Sequence, residues 1–412
     1  MRVIGSDNAA ALARLIGAGR AADERIARRV RRIVADVRRR GDAALRAYAT
    51  ALDGLPPGTP LLLDRTAIVA GSRGIAADLR RAIALAASHV ERVARASLPS
   101  PRTVRVAAGV RVELRTQPLA RVGCYVPGGR HPLVSSLLMT AIPARVAGVR
   151  DITVACPRPV PAVLCAARLA GVSRVLRAGG AQAIAALAYG TATVPRVDKI
   201  AGPGNAYVSA AKALVAPDCA IDFHAGPTEL VMIASRADAG AIAADLVAQA
   251  EHDPAARAIL LTTSRALARE VAARVAALAR PFGAAAVSVR RNGAAVVTRS
   301  LDEAIRIADR IAPEHLWCED DRVAAAVRNA GTIFVGAASI PALGDYVTGS
   351  NHVLPTAGAA RARGGLSAAD FVKTISVQRV TRRGLAALRG PGTLLARAEG
   401  LEAHARSIEE ER

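Results

Sequence analysis

Strand-like apolar segments alternate with helical segments through the middle of the chain, and this alternation limits the fold more than any other feature. Strands are predicted at residues 151–156, 174–177 and 199–201, and glycine turns at 179–180 and 202–204 follow the last two. Parallel strands need a crossover connection, usually a helix, whereas antiparallel strands can be joined by short turns. Repeated strand–helix units therefore indicate a parallel sheet covered by helices.

A second series of such units begins at residues 229–233 and continues through a helix that reaches His252. Further strands are predicted at 258–261, 295–298 and 332–335. Aromatic residues make up only 2% of the chain although 52% is hydrophobic, so the core must be packed from many small aliphatic side chains. We expect an α/β fold with two layers, one inserted in the other, and a helical, charged stretch from about residue 366.

The net charge of +22, from 56 basic and 34 acidic residues, raises the possibility of a nucleic-acid partner. Only three of the basic residues are lysines, and the arginines are spread along the whole chain. Nucleic-acid-binding domains more often concentrate their charge on one face or in a known module. The densest run, residues 28–40, is interpreted as the solvated face of an amphipathic helix, so no nucleic-acid partner is predicted.

The cysteines and the distribution of apolar residues predict the cellular compartment. Five cysteines, an odd number without CxxC spacing, argue against a disulfide framework and fit a reducing environment. The N-terminal residues lack the apolar core of a signal peptide, and the longest uncharged run, residues 178–195, contains three glycines. Such a run is a poor membrane span. We expect a soluble, cytoplasmic protein that does not contact a membrane.

Histidine, amide and carboxylate side chains cluster in a few short segments. Gln249 and His252 are three residues apart in an apolar-periodic segment, so a helix would place both on one face, within reach of a common ion. Imidazole, amide oxygen and carboxylate without cysteine suit Zn²⁺ or a similar divalent metal. On spacing alone, an incidental Gln-x-x-His pair is the commoner interpretation. Asp345 and His404 could complete the site only if the fold brings them to it.

Two further polar segments are candidates for chemistry or binding. Glu314 and His315 follow Pro313, and a carboxylate beside an imidazole offers a general base and a water-activating group in one place. A surface ion-pairing role is the alternative for this pair. The loop 344–352 contains Asp345 and His352 among glycine and polar residues, and such loops either bind a ligand or turn the chain.

Glycine turns at 127–129, 179–180 and 202–204 end predicted parallel strands. Nucleotides bind at the carboxyl ends of the strands in open α/β sheets. None of the three turns matches GxGxxG in the strand–helix context that the dinucleotide fingerprint requires. The turns alone are therefore weak support for a nucleotide site.

Taken together and in order, these segments resemble the histidinol dehydrogenase family over nearly the whole chain. The matching stretches are 123–129 (GCYVPGG), 179–187 (GGAQAIAAL), 197–205 (VDKIAGPGN), 225–229 (AGPTE), 249–252 (QAEH), 313–316 (PEHL), 344–346 (GDY) and 351–356 (NHVLPT). The resemblance implies two incomplete Rossmann-like parallel-sheet domains with short helical N- and C-terminal segments.

The resemblance also implies domain boundaries. Residues 1–20 would form an N-terminal helical segment, and 21–121 together with 229–365 a discontinuous first α/β domain that holds the metal and catalytic residues. Residues 122–228 would form a second, NAD-binding domain inserted in the first. Residues 366–412 would form a helical dimerisation segment.

Roles for single residues come from the resemblance alone. Its zinc ligands would be Gln249, His252, Asp345 and His404. Its catalytic pair would be Glu314 and His315, and its NAD-binding residues would be Tyr125, Gln182 and Asn205. Its substrate-binding residues would be Thr228, Gln249, His252, His315, Asp345, His352, Glu399 and His404. Glu399 and His404 would reach the site from the partner subunit of a homodimer.

The implied reaction is the oxidation of L-histidinol to L-histidine through L-histidinaldehyde, the final steps of histidine biosynthesis. Two NAD⁺ would be consumed per substrate, and each subunit would bind one Zn²⁺. His315 would accept the hydroxyl proton, and Glu314 would activate the water that adds to the aldehyde. The alternative is a zinc- and NAD-dependent dehydrogenase of the same fold that oxidises another small polar alcohol. Glu399 and His352 favour histidinol because both suit a cationic amine and an imidazole.

Overall fold

The computed structural model describes residues 1–17, 24–128, 133–223 and 226–411. Gly129 and Ala225, each at one end of a quoted motif, lie outside these ranges. The strands are β1 (Arg2–Gly5), β2 (Leu62–Leu63), β3 (Arg102–Ala107), β4 (Val110–Pro118), β5 (Arg121–Tyr125), β6 (Asp151–Ala155), β7 (Arg174–Leu176), β8 (Lys199–Ala201), β9 (Ala220–Ile221), β10 (Glu229–Ile233), β11 (Arg257–Thr262), β12 (Ala294–Val297), β13 (His315–Cys318), β14 (Thr332–Val335) and β15 (Val372–Val380).

Helices connect most of these strands. They are α1 (Ala9–Gly17), α2 (Glu24–Arg40), α3 (Asp42–Asp53), α4 (Arg65–Gly71), α5 (Ala77–Ala96), α6 (Val134–Val146), α7 (Pro161–Leu169), α8 (Gly180–Tyr189), α9 (Ala206–Val215), α10 (Ala239–Glu251), α11 (Arg265–Leu278), α12 (Gly283–Arg291), α13 (Leu301–Ile311), α14 (Asp321–Ala326), α15 (Pro341–Tyr346), α16 (Arg382–Ala398) and α17 (Glu402–Glu409). In the described ranges, none of them combines the length and the hydropathy needed to cross a lipid bilayer.

Two six-stranded sheets form the centre of the α/β fold, as the alternating segments predict. The first sheet has the order β1-β12-β11-β10-β13-β14, and all of its strands are parallel. Every residue of β10 and β11 is buried, and most of these residues are apolar, because helices cover both faces of a parallel sheet. The second sheet has the order β2-β7-β6-β5-β8-β9, and only the short edge strand β2 runs antiparallel.

The predicted insertion is present, because the first sheet takes β1 from the N-terminal end of the chain and its other strands from residues beyond 228. The predicted grouping of 21–121 with 229–365 is wrong. The apolar stripe of α2 packs in one core with α8 and α9, and α5 packs in another core with α6 and α7. Residues 24–96 therefore cover the second sheet. The N-terminal segment 1–20 is also not purely helical, since β1 pairs with β12 before α1 begins.

The C-terminal stretch differs from the helical segment predicted for 366–412. Its first part is β15, which pairs antiparallel with β4 in a separate three-stranded sheet of order β15-β4-β3. Helices α16 and α17 follow and pack mainly on each other. Leu394 and Leu395 of α16 are 71% and 65% exposed, which leaves an apolar surface of this segment uncovered in the single chain.

Candidate active site

The predicted catalytic pair lies at the amino-terminal edge of the first sheet. His315 is the first residue of β13, and the parallel register places it opposite Leu230 of β10. Thr228 directly precedes β10, so it lies at the same amino-terminal edge of the sheet. Helix α13 ends at Ile311, and the left-handed backbone of the next residue, Ala312 (φ 51°, ψ 65°), turns the chain into the strand through Pro313. Pairing of β10 with β13 therefore brings together residues that are far apart in sequence.

Glu314 is buried and accepts two hydrogen bonds at Oε2. The Thr228 hydroxyl donates one, and the backbone N–H of Glu229 donates the other over 2.9 Å. Both bonds favour the ionised carboxylate, but burial opposes them more strongly and raises the pKa of Glu314 to about 8. The group can therefore change its proton occupancy close to neutral pH, as a proton-transfer group must.

His315 is buried beside two carboxyl groups without a hydrogen bond to either. Its Nδ1 lies 3.7 Å from Oε2 of Glu314, and its Nε2 lies 3.7 Å from Oδ1 of Asp345. Nδ1 is fully buried and makes no hydrogen bond within the described residues. Burial lowers the pKa of His315, although the charge of Asp345 opposes this shift. The ring is stacked 6.0 Å from Phe334. A neutral imidazole held in this way can accept a proton.

Three of the four predicted zinc ligands lie around the same edge. Gln249 is near the end of α10, and its amide nitrogen donates to the Thr228 hydroxyl, which leaves its carbonyl oxygen directed elsewhere. His252 caps the same helix, and its Nε2 lies 4.0 Å from Oδ2 of Asp345 on α15. Imidazole nitrogen and carboxylate oxygen are donor types that zinc takes, so His252 and Asp345 would be among the residues that hold such an ion.

His404, the fourth predicted ligand, is not brought to this edge in the single chain. It is exposed on α17, and Glu399 is exposed at the end of α16. Within the described part of the chain, neither side chain makes a hydrogen bond or an ion pair. Among those same residues, no group of three His, Cys, Asp or Glu side chains is placed to hold a metal. The donor types of Gln249, His252 and Asp345 suit zinc, but within the described residues these side chains do not by themselves form a metal-binding cluster.

His352, a predicted substrate-binding residue, already uses both of its ring nitrogens. Nδ1 lies 2.8 Å from the backbone oxygen of Asp345, and Nε2 lies 3.2 Å from the Ser136 hydroxyl on α6. Burial lowers its pKa, so the ring is neutral near neutral pH. A direct contact with substrate would have to exchange one of these bonds. Ser136 has no sequence signal that indicates the site.

Sequence reasoning also missed the ion pair beneath the catalytic residues. Glu229 is fully buried, and its Oε1 lies 2.6 Å from Nη1 of Arg257, which is also buried. Glu229 donates its backbone N–H to Glu314, so the pair supports the residue that positions the carboxyl group. The position of Glu229 directly after Thr228 in the AGPTE motif was the sequence signal for this ion pair.

The three predicted NAD-binding residues meet at the carboxyl edge of the second sheet. Strands β6 and β8 pair with β5 on its two opposite sides, so the strand order reverses between β5 and β8. Open α/β sheets bind nucleotides in the crevice at the carboxyl ends of the strands at such a point. Tyr125 ends β5, and its phenolic oxygen accepts the backbone N–H of Gly180 over 3.0 Å. Asn205 caps α9 after β8, and Gln182 lies in the first turn of α8.

A cavity of about 460 Å³ opens between these three residues. Arg29 and Arg158 add positive charge to its wall, which suits a pyrophosphate, and the ring of Tyr207 adds an aromatic face. The chain passes very close to itself here. A side-chain carbon on Gly202 would lie 2.2 Å from the backbone oxygen of Tyr125, and the φ of Gly202 is +123°, so only glycine fits.

The chain is similar to known proteins over nearly its whole length. The family model described as histidinol dehydrogenase matches residues 18–411. Histidinol dehydrogenase from Cereibacter sphaeroides is 47% identical over 390 residues, which cover 91% of this chain and 89% of that protein. The enzyme of that name from Thermus thermophilus is 44% identical over 410 residues, with 96% and 97% covered.

A solved structure supports the same assignment. The crystal structure of histidinol dehydrogenase from Elizabethkingia anophelis superposes with a TM-score of 0.92 at 32% identity. The match covers 99% of this chain and 97% of that one. Because the sequence match and the structural match both extend over nearly the full length, the chain belongs to the histidinol dehydrogenase family.

Proposed function

We propose that this protein oxidises L-histidinol to L-histidine through L-histidinaldehyde, with two NAD⁺ as acceptors and one Zn²⁺ per subunit. One observation carries the chemistry: a neutral imidazole, a carboxyl group with a pKa near 8 and two metal-type donors share one edge of the first sheet. The family names the substrate. The cavity at the second sheet, which Tyr125, Gln182 and Asn205 line, is the proposed NAD⁺ site.

The first stage needs a base for the hydroxyl proton of the alcohol. His315 accepts this proton, while the carbinol C–H bond breaks and its electron pair passes as hydride to NAD⁺. The products are the aldehyde, NADH and a protonated imidazole. Burial keeps the pKa of His315 low, so the imidazole is neutral and able to act before the reaction, and it releases the proton readily afterwards.

The second stage needs water at the aldehyde carbon. Glu314 takes one proton from this water as its oxygen bonds to the carbonyl carbon, and the protonated His315 from the first stage gives its proton to the carbonyl oxygen, which yields the hydrate. His315 accepts the next hydroxyl proton, and a second hydride leaves for another NAD⁺. Loss of the remaining proton yields the carboxylate of L-histidine. Thr228 and the Glu229 N–H hold Glu314 in position for this step.

Substrate positioning is assigned to the remaining polar residues. Gln249, His252 and Asp345, with His404 of the partner subunit, would hold zinc, which when bound supplies a positive charge that orients the imidazole and amine of the substrate. Thr228, His352 and Glu399 of the partner subunit would complete the pocket. The exposure of Glu399 and His404, beside the uncovered Leu394 and Leu395, supports a homodimer through this segment.

Subunit mixing tests the shared site. His252→Asn and His404→Asn should each inactivate the homodimer, because each removes one zinc ligand. When the two purified variants are mixed and allowed to exchange subunits, one site of each heterodimer regains a full ligand set. Activity should therefore return to a substantial fraction of the wild-type value. A mixture that stays inactive, although subunit exchange is demonstrated by mass spectrometry, would place His404 outside the partner's site.

Identification of the product tests the reaction itself. Zinc-loaded protein is incubated with L-histidinol and excess NAD⁺, and the products are separated by chromatography. L-Histidine without released aldehyde supports the proposal. No turnover of L-histidinol, together with turnover of another small polar alcohol, would assign the site to a different substrate. A cytoplasmic location is proposed as well, since all five cysteines are free and buried.

A further inference from the structure

Asp53, the last residue of α3, reaches across to the nucleotide cavity on the second sheet. Its Oδ2 accepts the backbone N–H of Gly179 over 3.0 Å and the side-chain amide of Gln182 over 3.1 Å. Gly179 is the residue before α8 and has no side chain with which to cap this helix. A carboxylate supplied from another element therefore satisfies the start of α8, where the helix dipole also favours a negative charge.

The second bond fixes the orientation of the Gln182 amide. Because Nε2 donates to Asp53, the carbonyl Oε1 points away from that carboxylate. Oε1 lies close to Gly180, since a side-chain carbon built on Gly180 would be 2.8 Å from Oε1. Gln182 is buried, so its two amide orientations are not equivalent. With Asp53 in place, one N–H of Nε2 is used, and Oε1 is the acceptor that this amide can offer to the cavity.

Asp53 also lines the cavity itself. Its other oxygen, Oδ1, accepts no hydrogen bond from the described residues, and Asp53 is the one acidic side chain among the described residues of the wall. A neighbouring cavity of about 450 Å³ shares Asp53, Pro157 and Arg158 with the first, so Asp53 stands where the two join. Burial raises the pKa of Asp53 above its ordinary value, which shows that holding the carboxylate here is costly.

We propose that Asp53 is a positioning residue of the nucleotide site, which orients Gln182 so that its carbonyl accepts a hydrogen bond from the bound dinucleotide. The donor class is an amide N–H or a ribose hydroxyl. The inference rests on the proposed function, because it assigns the cavity to NAD⁺. A purely structural capping role for Asp53 predicts loss of thermal stability alone, whereas the positioning role predicts that NAD⁺ affinity depends on Asp53 through Gln182.

An exchange of donor and acceptor separates these two roles. Asp53→Asn and Gln182→Glu are made singly and together, since the double variant keeps the net charge and the lengths of both side chains but reverses the hydrogen bond. Binding of NAD⁺ and of L-histidinol is measured by calorimetry, and thermal unfolding is followed in parallel. Asp78→Asn serves as the matched control, because the Asp78 side chain is 87% exposed.

Each single variant should weaken NAD⁺ binding about tenfold, because one buried hydrogen bond to a charged group is lost or replaced by repulsion. The double variant should recover to within about threefold of the wild type. L-Histidinol binding should stay unchanged. Additive losses in the double variant, or NAD⁺ affinity unchanged in the singles, would overturn the inference. If Asp53→Asn alone does not fold, comparison of Gln182→Glu with the double variant still decides. Wild-type protein that binds no NAD⁺ would instead overturn the proposed function.

Discussion

Nε2 of His315 and Oδ1 of Asp345 face each other at 3.7 Å, across the edge of the first sheet. Oδ2 of the same Asp345 lies 4.0 Å from Nε2 of His252. One carboxylate therefore stands between the proposed base and a proposed zinc ligand. Both separations exceed direct hydrogen-bond length, so each leaves room for a third atom that bonds to both partners. A substrate hydroxyl beside His315 would satisfy the first spacing, and the donor types of His252 and Asp345 suit a cation.

Replacement of His315 by asparagine should remove the base without emptying the site. We expect kcat to fall by about 10²- to 10⁴-fold, as loss of a general base does, while the dissociation constant of L-histidinol changes little. Steady-state kinetics with saturating NAD⁺ measures the first quantity and calorimetry the second. Cys318→Ala is the matched control on the same strand, because burial raises the pKa of that thiol to about 11 and keeps it an unreactive thiol. Loss of aldehyde oxidation in the control would implicate Cys318 instead.

Aldehyde oxidation should depend on pH through Glu314. The group must be ionised to take a proton from water, and burial raises its pKa to about 8. The rate with L-histidinaldehyde should therefore rise with pH up to about 8, level off above it, and fall as the carboxyl group becomes protonated at lower pH. Glu314→Gln should be slow and should lack this dependence. A wild-type profile that is flat through this range would contradict the assignment of Glu314 as the base.

The zinc content of the protein should depend on Asp345 and His252. We expect about one zinc per subunit in the wild type and a large loss of zinc in Asp345→Asn and His252→Asn, since each removes a ligand. Plasma emission spectrometry of dialysed protein measures this directly. Glu251→Gln, next to His252 but exposed, is the control and should keep its metal. Full zinc content in both ligand variants would show that the metal binds elsewhere.

Folding stability should depend on Lys212, which is buried against Asp222. Their side chains are 2% and 0% exposed, and Lys212 also donates to the backbone oxygen of Gly202 over 3.0 Å. Lys212→Met leaves the carboxylate buried and unpaired, so the free energy of unfolding in urea should fall by about 3–5 kcal/mol.

Removal of both charges is a second, independent test of how the ion pair between Lys212 and Asp222 affects stability. The combination of Lys212→Met with Asp222→Asn should recover much of the loss, because no buried charge is then left unpaired. The exposed pair of Arg274 and Glu270 supplies the control, and Arg274→Met should cost less than about 1 kcal/mol. A loss equally small for Lys212→Met would mean that water reaches Asp222.

The sequence predicts local structure here better than it predicts which elements pack together. The apolar stripe of α2 shows that this helix has a buried face, but the stripe does not say which of the two sheets the helix covers. The predicted grouping of 21–121 with 229–365 places α2 on the wrong sheet. Strand β15 lies in the stretch 366–412 that was predicted to be helical. Its many β-branched residues were the signal for a strand, but most of its residues are exposed, so no buried face marks it.

Some site residues are marked by sequence motifs, whereas others are found only from the three-dimensional structure. Thr228, Glu314 and His315 come together because a parallel sheet aligns the ends of neighbouring strands, and helix α15 brings Asp345 beside His315. The motifs identified all four residues. The hydrogen bond from Gln182 to Asp53 joins residues 129 positions apart, and no local pattern marks Asp53. His404 lies on α17, away from this edge of the sheet in the single chain, and only the proposed homodimer would bring it to the site.

The amount of NADH formed per L-histidinol tests the central claim most directly. With limiting L-histidinol, excess NAD⁺ and zinc-loaded protein, the absorbance of NADH at completion gives the ratio. The two-stage mechanism at Glu314 and His315 predicts two NADH per histidinol, with L-histidine as the product. One NADH per histidinol, with L-histidinaldehyde released, would contradict it, because the site would then perform only the first oxidation.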